Sequence, residues 1–250
     1  MTGTNGALNG KIALVTGASR GIGRAIAQRF SRDGASVAIN YTRNADAARH
    51  VVGEIESSGG TAVAIHADVA RVSEITRLFD ETLKHFGKLD ILVNNAGIIL
   101  NKPVAEMSEA EYDRIFDINV KGTFFACRQA ATKLADGGRI INLSSSTTVR
   151  MMPAYGAYVA TKGAVEQLTR SLAVELAPRA ITVNVVSPGP TDTELFNSGK
   201  TPQEIQRFTQ STPLGRLGNP SDIANVIAFL AGKDAGWITG QNIRVNGGIG

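Results

Sequence analysis

The stretch TGASRGIGRAIAQRF, residues 16–30, decides how the chain folds. The residues leading into it, KIALVT (11–16), form a short apolar run rich enough in β-branched side chains to read as a strand, and the residues after it follow a helical pattern. Three glycines, Gly17, Gly21 and Gly23, stand at the changeover. Glycine lets a backbone turn sharply and approach a ligand closely. A helix N-terminus adds free N–H groups and the positive end of a dipole. Placed between a first strand and a first helix, such a turn reads as a cradle for the pyrophosphate of a dinucleotide.

The alternation continues along the chain. SVAINY (36–41), TAVAIH (61–66), LDILVN (89–94), GRIINLS (138–144), AITVNVVS (180–187) and NIRVNGG (242–248) read as further strands. Helical patterns lie between them at 21–33, 44–59, 71–86, 109–135, 156–177 and 220–231. Most of the strands are almost continuously apolar, as in a parallel sheet covered on both faces. The expected fold is α/β: a single-domain, Rossmann-type, doubly wound parallel sheet of about seven strands with helices on both faces. With 250 residues, 43% of them hydrophobic, one core suffices. Residues 1–10, MTGTNGALNG, read as a flexible tail and 11–250 as the domain. The polar segment 188–219, punctuated by Pro and Gly, reads as a lid over an active site.

Composition excludes several function classes. The net charge of +4 is spread along the chain and mixed with acids, so no nucleic-acid surface is expected. No apolar run approaches the roughly 20 residues of a membrane span. The single cysteine, Cys127, excludes an internal disulfide framework and suits a reducing cytoplasm. Its apolar context, GTFFACRQAA, marks it as a buried thiol. His50, His66 and His85 are far apart and outside any metal-ligand spacing, so no metal is expected.

AYVATKGAV (157–165) carries chemistry. Tyr158 and Lys162 are one helical turn apart and share a face. An ammonium beside a phenol eases its ionisation, which suits a proton donor or acceptor. Tyr155 has Val159 in the corresponding place, so only Tyr158 has a lysine partner. Ser145 stands thirteen residues before Tyr158, and Ser144 and Ser146 point to the other side of an extended strand.

In order along the chain come T-G-x-x-x-G-x-G (16–23), ADV (67–69), NNAG (94–97), DINVKGTF (117–124), INLSSSTT (141–148), YVATK (158–162), SPGPTDT (187–193) and WITGQNIRVNGG (237–248). This set resembles the short-chain dehydrogenase/reductase family across nearly the whole chain. The resemblance implies four catalytic residues. Tyr158 is the general acid in reduction, Ser145 donates to the carbonyl oxygen, Lys162 lowers the Tyr158 pKa and bonds the nicotinamide ribose, and Asn119 holds a water in a proton relay. It also implies where a nicotinamide dinucleotide lies: on Gly17, Ser19, Arg20, Gly21, Ile22 and Gly23 at the phosphate turn, and on Asp68 and Val69 at the adenine. Asn95, Ala96 and Gly97 line the adenosine ribose side. Pro188, Gly189, Thr191 and Thr193 lie near the nicotinamide.

The end of the second strand, AINYTRNAD (38–46), offers no acid for ribose hydroxyls before Asp46. Tyr41, Thr42 and Arg43 occupy that place, and Arg20 and Arg43 suit a 2′-phosphate. NADP(H) is therefore expected over NAD(H). Val149, Met151, Met152, Tyr155, Leu195, Phe196 and Phe208 suggest an apolar substrate wall.

The chain also resembles 3-oxoacyl-[acyl-carrier-protein] reductases and related carbonyl reductases. Arg179 favours docking of an acidic carrier protein, whereas Asp136, in KLADGGRI (133–140), opposes it. The leading expectation is reduction of a 3-oxoacyl thioester. The alternatives are reduction of sugars, polyols, quinones or polyketide-type cyclic ketones, and a non-catalytic NADP-binding sensor. A homotetramer is the assembly the resemblance implies.

Overall fold

The first strand, β1 (Ile12–Val15), is buried at all four positions. Ala13 and Val15 enter one core, and Ile12 and Leu14 enter another on the opposite side of the sheet. A strand that must fill two cores has no polar face to show, which is why its sequence is continuously apolar. The same division recurs in β4 (Ile91–Asn94), where Ile91 and Val93 face one core and Leu92 the other.

The computed structural model describes residues 6–249. The remaining strands are β2 (Ser36–Tyr41), β3 (Ala62–His66), β5 (Arg139–Leu143), β6 (Thr182–Pro188) and β7 (Asn242–Val245). The seven lie in the order β3-β2-β1-β4-β5-β6-β7, and every pairing is parallel. Helices α1 (Gly21–Arg32) and α2 (Ala45–Ser57) line the first core through Ile26, Phe30, Val51 and Ile55. On the second core lies α3 (Val72–Phe86), whose Ile75, Leu78 and Phe79 are buried there. It ends at Gly87, which takes a left-handed φ of 77°.

The helix expected over 109–135 is divided. Helix α4 (Glu109–Phe116), opened by a reciprocal Ser108–Glu111 cap, runs into a wider π-helical turn, Asp117–Lys121, and then into α5 (Gly122–Lys133). Gly122 explains the placement: a Cβ there would stand 2.8 Å from the Val69 carbonyl oxygen, so only glycine lets α5 come this close to the loop after β3. Helix α6 (Gly156–Leu176) covers the second core with Leu172, Ala173 and Leu176.

The 188–219 segment folds into two short helices, α7 (Glu194–Asn197) and α8 (Pro202–Ser211). Its neck is closed where Asp192 N donates to Gly218 O and Gly218 N to Pro190 O, at 2.8 and 2.9 Å. Helix α9 (Pro220–Ala231) then returns to the first core through Ile223, Ile227 and Leu230.

The expected flexible tail needs correction over 6–10, whereas 1–5 lie outside the described residues. Leu8 is buried in the first core, and its N–H donates to Asp33 O at 2.9 Å. Burying that leucine offsets the entropy of ordering a short turn. Among the described residues no helix is long and apolar enough to cross a membrane.

Candidate active site

Between β1 and β4 the chain order reverses, so the loops leaving the two strands diverge and open a crevice at the carboxyl end of the sheet. A cavity of about 950 Å³ lies there. Every expected cofactor-binding residue lines it, as do Ser145, Tyr158 and Lys162.

The glycine turn is held from both sides. Gly17 and Gly21 take left-handed φ values of 62° and 53°. From β2, Asn40 Oδ1 accepts from Gly17 N at 3.2 Å. From the loop after β4, Asn95 Nδ2 donates to Thr16 O and Gly17 O at 2.8 and 3.0 Å. Thr16 Oγ1 in turn accepts from Asn95 N and Ala96 N, both at 3.0 Å. A Cβ on Gly23 would fall 2.5 Å from Asn95 Nδ2 and from Gly17 O, so the first turn of α1 tolerates no side chain there. Arg20, extended at the N-cap, provides no side-chain cap, and no acid lies in the first turn. The helix thus presents its N–H groups to an anion in the cavity. This arrangement fits the pyrophosphate of a dinucleotide.

Farther along the cavity, Asp68 Oδ1 accepts from Ala70 N at 3.0 Å. No carboxylate comes from the end of β2. Asn40 is fully buried, and its Nδ2 donates to Ala67 O at 3.0 Å. Asp46 lies in the first turn of α2 and pairs with Arg49. Arg43 is exposed at the cavity rim, whereas Arg20 Nη1 is bonded to Glu194 Oε2 at the start of α7 at 2.9 Å.

Tyr158 and Lys162 are both buried. Burial pushes the Tyr158 phenol up to about 12, with the Ser145 hydroxyl working against that rise. The direction is opposite to the lowering by Lys162 that the resemblance implies, because removing water from a phenolate dominates. Burial drives Lys162 the other way, down to about 8. Its Nζ lies 5.7 Å from the Tyr158 ring centre and donates to Leu143 O at 2.9 Å.

The strand on which the serines were expected ends earlier, at Leu143, and a 3₁₀ turn begins at Ser146 with Ser145 extended at its N-cap, yet the three hydroxyls still take separate partners. Ser146 Oγ is spent on Ser187 O at 3.1 Å, and Ser144 is buried against α6. Ser145 Oγ accepts from Thr147 N and Thr147 Oγ1 at 3.2 and 3.0 Å, which leaves its own hydrogen to donate into the cavity.

Asn119 is placed differently. It lies behind the cavity wall rather than in its lining, on the π-helical turn. Its side chain accepts from Ile98 N and donates to Ile98 O, both at 2.9 Å, and to Thr161 Oγ1 at 3.1 Å. A Cβ on Gly97 would sit 3.2 Å from Asn119 Oδ1 and 3.6 Å from Lys162 Nζ, so the bare glycine leaves a gap between the two.

Of the expected apolar wall, Met152, Tyr155, Leu195, Phe196 and Phe208 line the cavity. Val149 and Met151 do not, because both turn to solvent, Met151 completely. Phe196 and Phe208 meet edge to face at 5.2 Å, and Lys200 lies over the Phe196 ring at 4.6 Å. Asn40 escaped the sequence reading as a site residue. Its signal was a polar residue closing an otherwise apolar strand before the turn that it holds.

Residues 17–250 match the family model described as enoyl-(acyl carrier protein) reductase. A short-chain type dehydrogenase/reductase from Picea abies is 45% identical over 251 residues, covering 96% of this chain and 93% of the relative. The chain belongs to the short-chain dehydrogenase/reductase family. Another relative within it, 41% identical with 96% and 94% coverage, is a probable tetrahydroxynaphthalene reductase from Zymoseptoria tritici. Among solved structures, an angucycline C-6 ketoreductase with bound NADP superposes with a TM-score of 0.93 at 42% identity, covering 97% of this chain and 96% of that one. As a member of this family, the chain is an oxidoreductase with the family's Rossmann-type fold.

Proposed function

We propose that this short-chain dehydrogenase/reductase reduces a ketone to a secondary alcohol at the expense of NADPH, and that the ketone belongs to a fused-ring, polyketide-type molecule. The observation that carries the reading is the buried Tyr158 phenol and the Ser145 hydroxyl, which keeps its own hydrogen to donate, lining one cavity together with every expected cofactor-binding residue.

A reduced nicotinamide, when bound, supplies the hydride. The residues of this chain manage the carbonyl oxygen. Ser145 donates a hydrogen bond that polarises it, and Tyr158 delivers a proton as negative charge develops there. Lys162 holds its ammonium beside the phenol and retains two donors besides the one given to Leu143 O. Asn119 keeps the Gly97–Ile98 backbone open beside that ammonium, so that a water there links Lys162 to solvent. Arg43 and Arg20 take a 2′-phosphate, Asp68 the adenine. NADP in the bound state of the angucycline ketoreductase supports the cofactor assignment.

The two relatives that act on naphthalene- and angucycline-type rings favour a cyclic ketone. So does the aromatic lid pair Phe196 and Phe208, which gives a flat molecule two ring surfaces. The 3-oxoacyl thioester remains the second reading, favoured by the carrier-protein wording of the family model. Exposed Phe124 on α5 and Val174 on α6 support assembly into a dimer or tetramer through these helices.

The test follows NADPH consumption with 2-tetralone and with an acetoacetyl thioester, and NADH in parallel. Turnover of the bicyclic ketone with preference for NADPH is expected. Efficient reduction of the thioester alone would move the substrate to the second reading, and preference for NADH would overturn the cofactor assignment.

A further inference from the structure

Tyr158, Lys162 and Glu166 follow one another at single-turn spacing along one face of α6. The first two line the cavity. The third faces the short segment that carries Ser145. Glu166 Oε1 accepts from Ser144 Oγ at 2.7 Å and from Thr148 Oγ1 at 2.8 Å.

Each of those hydroxyls has one proton and a choice of acceptors. Ser144 Oγ is also 3.3 Å from Lys162 O, and Thr148 Oγ1 is 3.0 Å from Ser145 O. In both cases the carboxylate oxygen is the nearer acceptor, so it receives the hydrogen bond. The residues immediately before Ser145 and three after it are thereby pinned to one oxygen atom on the helix that carries Tyr158.

We propose that Glu166 is a positioning residue, which sets the Ser145 hydroxyl against Tyr158 by clamping the turn from 144 to 148 onto α6. Its kinetic consequence rests on the ketone-reduction reading above. Other ties hold this turn to the sheet or within itself: Ser144 N donates to Val186 O at 2.9 Å, and Thr147 N to Ser145 Oγ at 3.2 Å. Lys162 holds Leu143 O upstream, and Ser146 Oγ holds Ser187 O on β6. None of these joins the far end of the turn to α6, whereas Thr148 does so through Glu166. A carboxylate suits the task because it only accepts, and one oxygen can receive two hydroxyls. A glutamine keeps an accepting oxygen without the charge, so Glu166→Gln separates position from electrostatics.

Two measurements test the role. In cofactor-free protein, amide exchange at Thr147 and Thr148 is expected to quicken about tenfold in Glu166→Ala and little in Glu166→Gln. In turnover with the bicyclic ketone, Glu166→Ala is expected to lower kcat by up to about 100-fold, the scale of a 1 Å misplacement, with NADPH affinity unchanged. Glu166→Gln should recover most of that loss. In a Ser145→Ala background the same Glu166→Ala substitution should cost little more, because the group it positions is gone. Unchanged amide exchange, or equal losses in both backgrounds, would overturn the proposal. A wild-type protein that consumes NADPH with no ketone overturns the ketone reading instead, and the exchange comparison then still decides whether Glu166 holds the turn.

Discussion

Arg179 and Asp136 form an ion pair, with Nε 2.7 Å from Oδ1. Read along the chain, the two residues argued for opposite conclusions about carrier-protein docking. In the fold they answer each other, and Arg179 also donates to Ala131 O and Leu134 O at 2.7 and 2.5 Å. The guanidinium therefore closes the last turn of α5, a use of arginine that helix C-termini favour. It also precedes β6, so it stands at the end of the sheet opposite the cavity.

Arg179→Ala should accordingly lower thermal stability, by about 1–3 kcal/mol for carbonyls left without donors. It should leave kcat/KM unchanged for a carrier-bound thioester relative to the same free thioester. A melt and a pair of steady-state assays check this, and a selective loss with the carrier-bound form would restore Arg179 as a docking residue.

A second ion pair joins the glycine turn to α7: Arg20 and Glu194, at 2.9 Å and largely exposed. A 2′-phosphate and Glu194 then compete for one guanidinium. Exposed pairs of this kind contribute about 0.2–1 kcal/mol, so Glu194→Gln should tighten NADP(H) by at most about fivefold at low salt and leave NAD(H) affinity unaltered. Fluorescence titrations with both dinucleotides measure it. Equal tightening for both would show that Arg20 does not read the 2′-phosphate.

Lys162 gives a pH signature. Burial lowers its pKa from the ordinary 10.5 to about 8, so between those values the unfolded chain holds a proton that the folded one has lost. Stability attributable to this residue therefore rises with pH across the window. Against Lys162→Met, the wild type should gain on the order of 3 kcal/mol between pH 8 and 10.5. Below pH 8 the difference between the two should be flat. Tyr158, raised to about 12, is common to both proteins and contributes its opposite slope at higher pH. Denaturant unfolding at several pH values checks the sign, and a difference that shrinks over this window would contradict it.

What was legible in the chain was whatever local chemistry dictates. A four-residue strand such as β1 is apolar throughout because it fills two cores, and that leaves an unmistakable trace. The glycines of the phosphate turn and the Tyr158–Lys162 spacing are likewise local. The π-helical turn at Asn119 was not legible: nothing in DINVKG interrupts the helical pattern, and the close approach of Gly122 to the Val69 carbonyl just after it is a contact between distant segments. Leu8 was hidden in a polar-looking terminus, where one leucine among small residues gives no periodicity. The Arg20–Glu194 and Arg179–Asp136 pairs join residues far apart in sequence, and each charge alone reads as a free surface group.

The most direct test of the central claim is the rate of NADPH oxidation by Tyr158→Phe at saturating ketone, measured beside the affinity for NADPH. Removing one hydroxyl leaves the buried ring and its packing in place and takes away the proton. A fall of about 10²–10⁴-fold with cofactor affinity nearly unchanged is the predicted result. Turnover equal to that of the unsubstituted protein would contradict the assignment of Tyr158 as the proton donor.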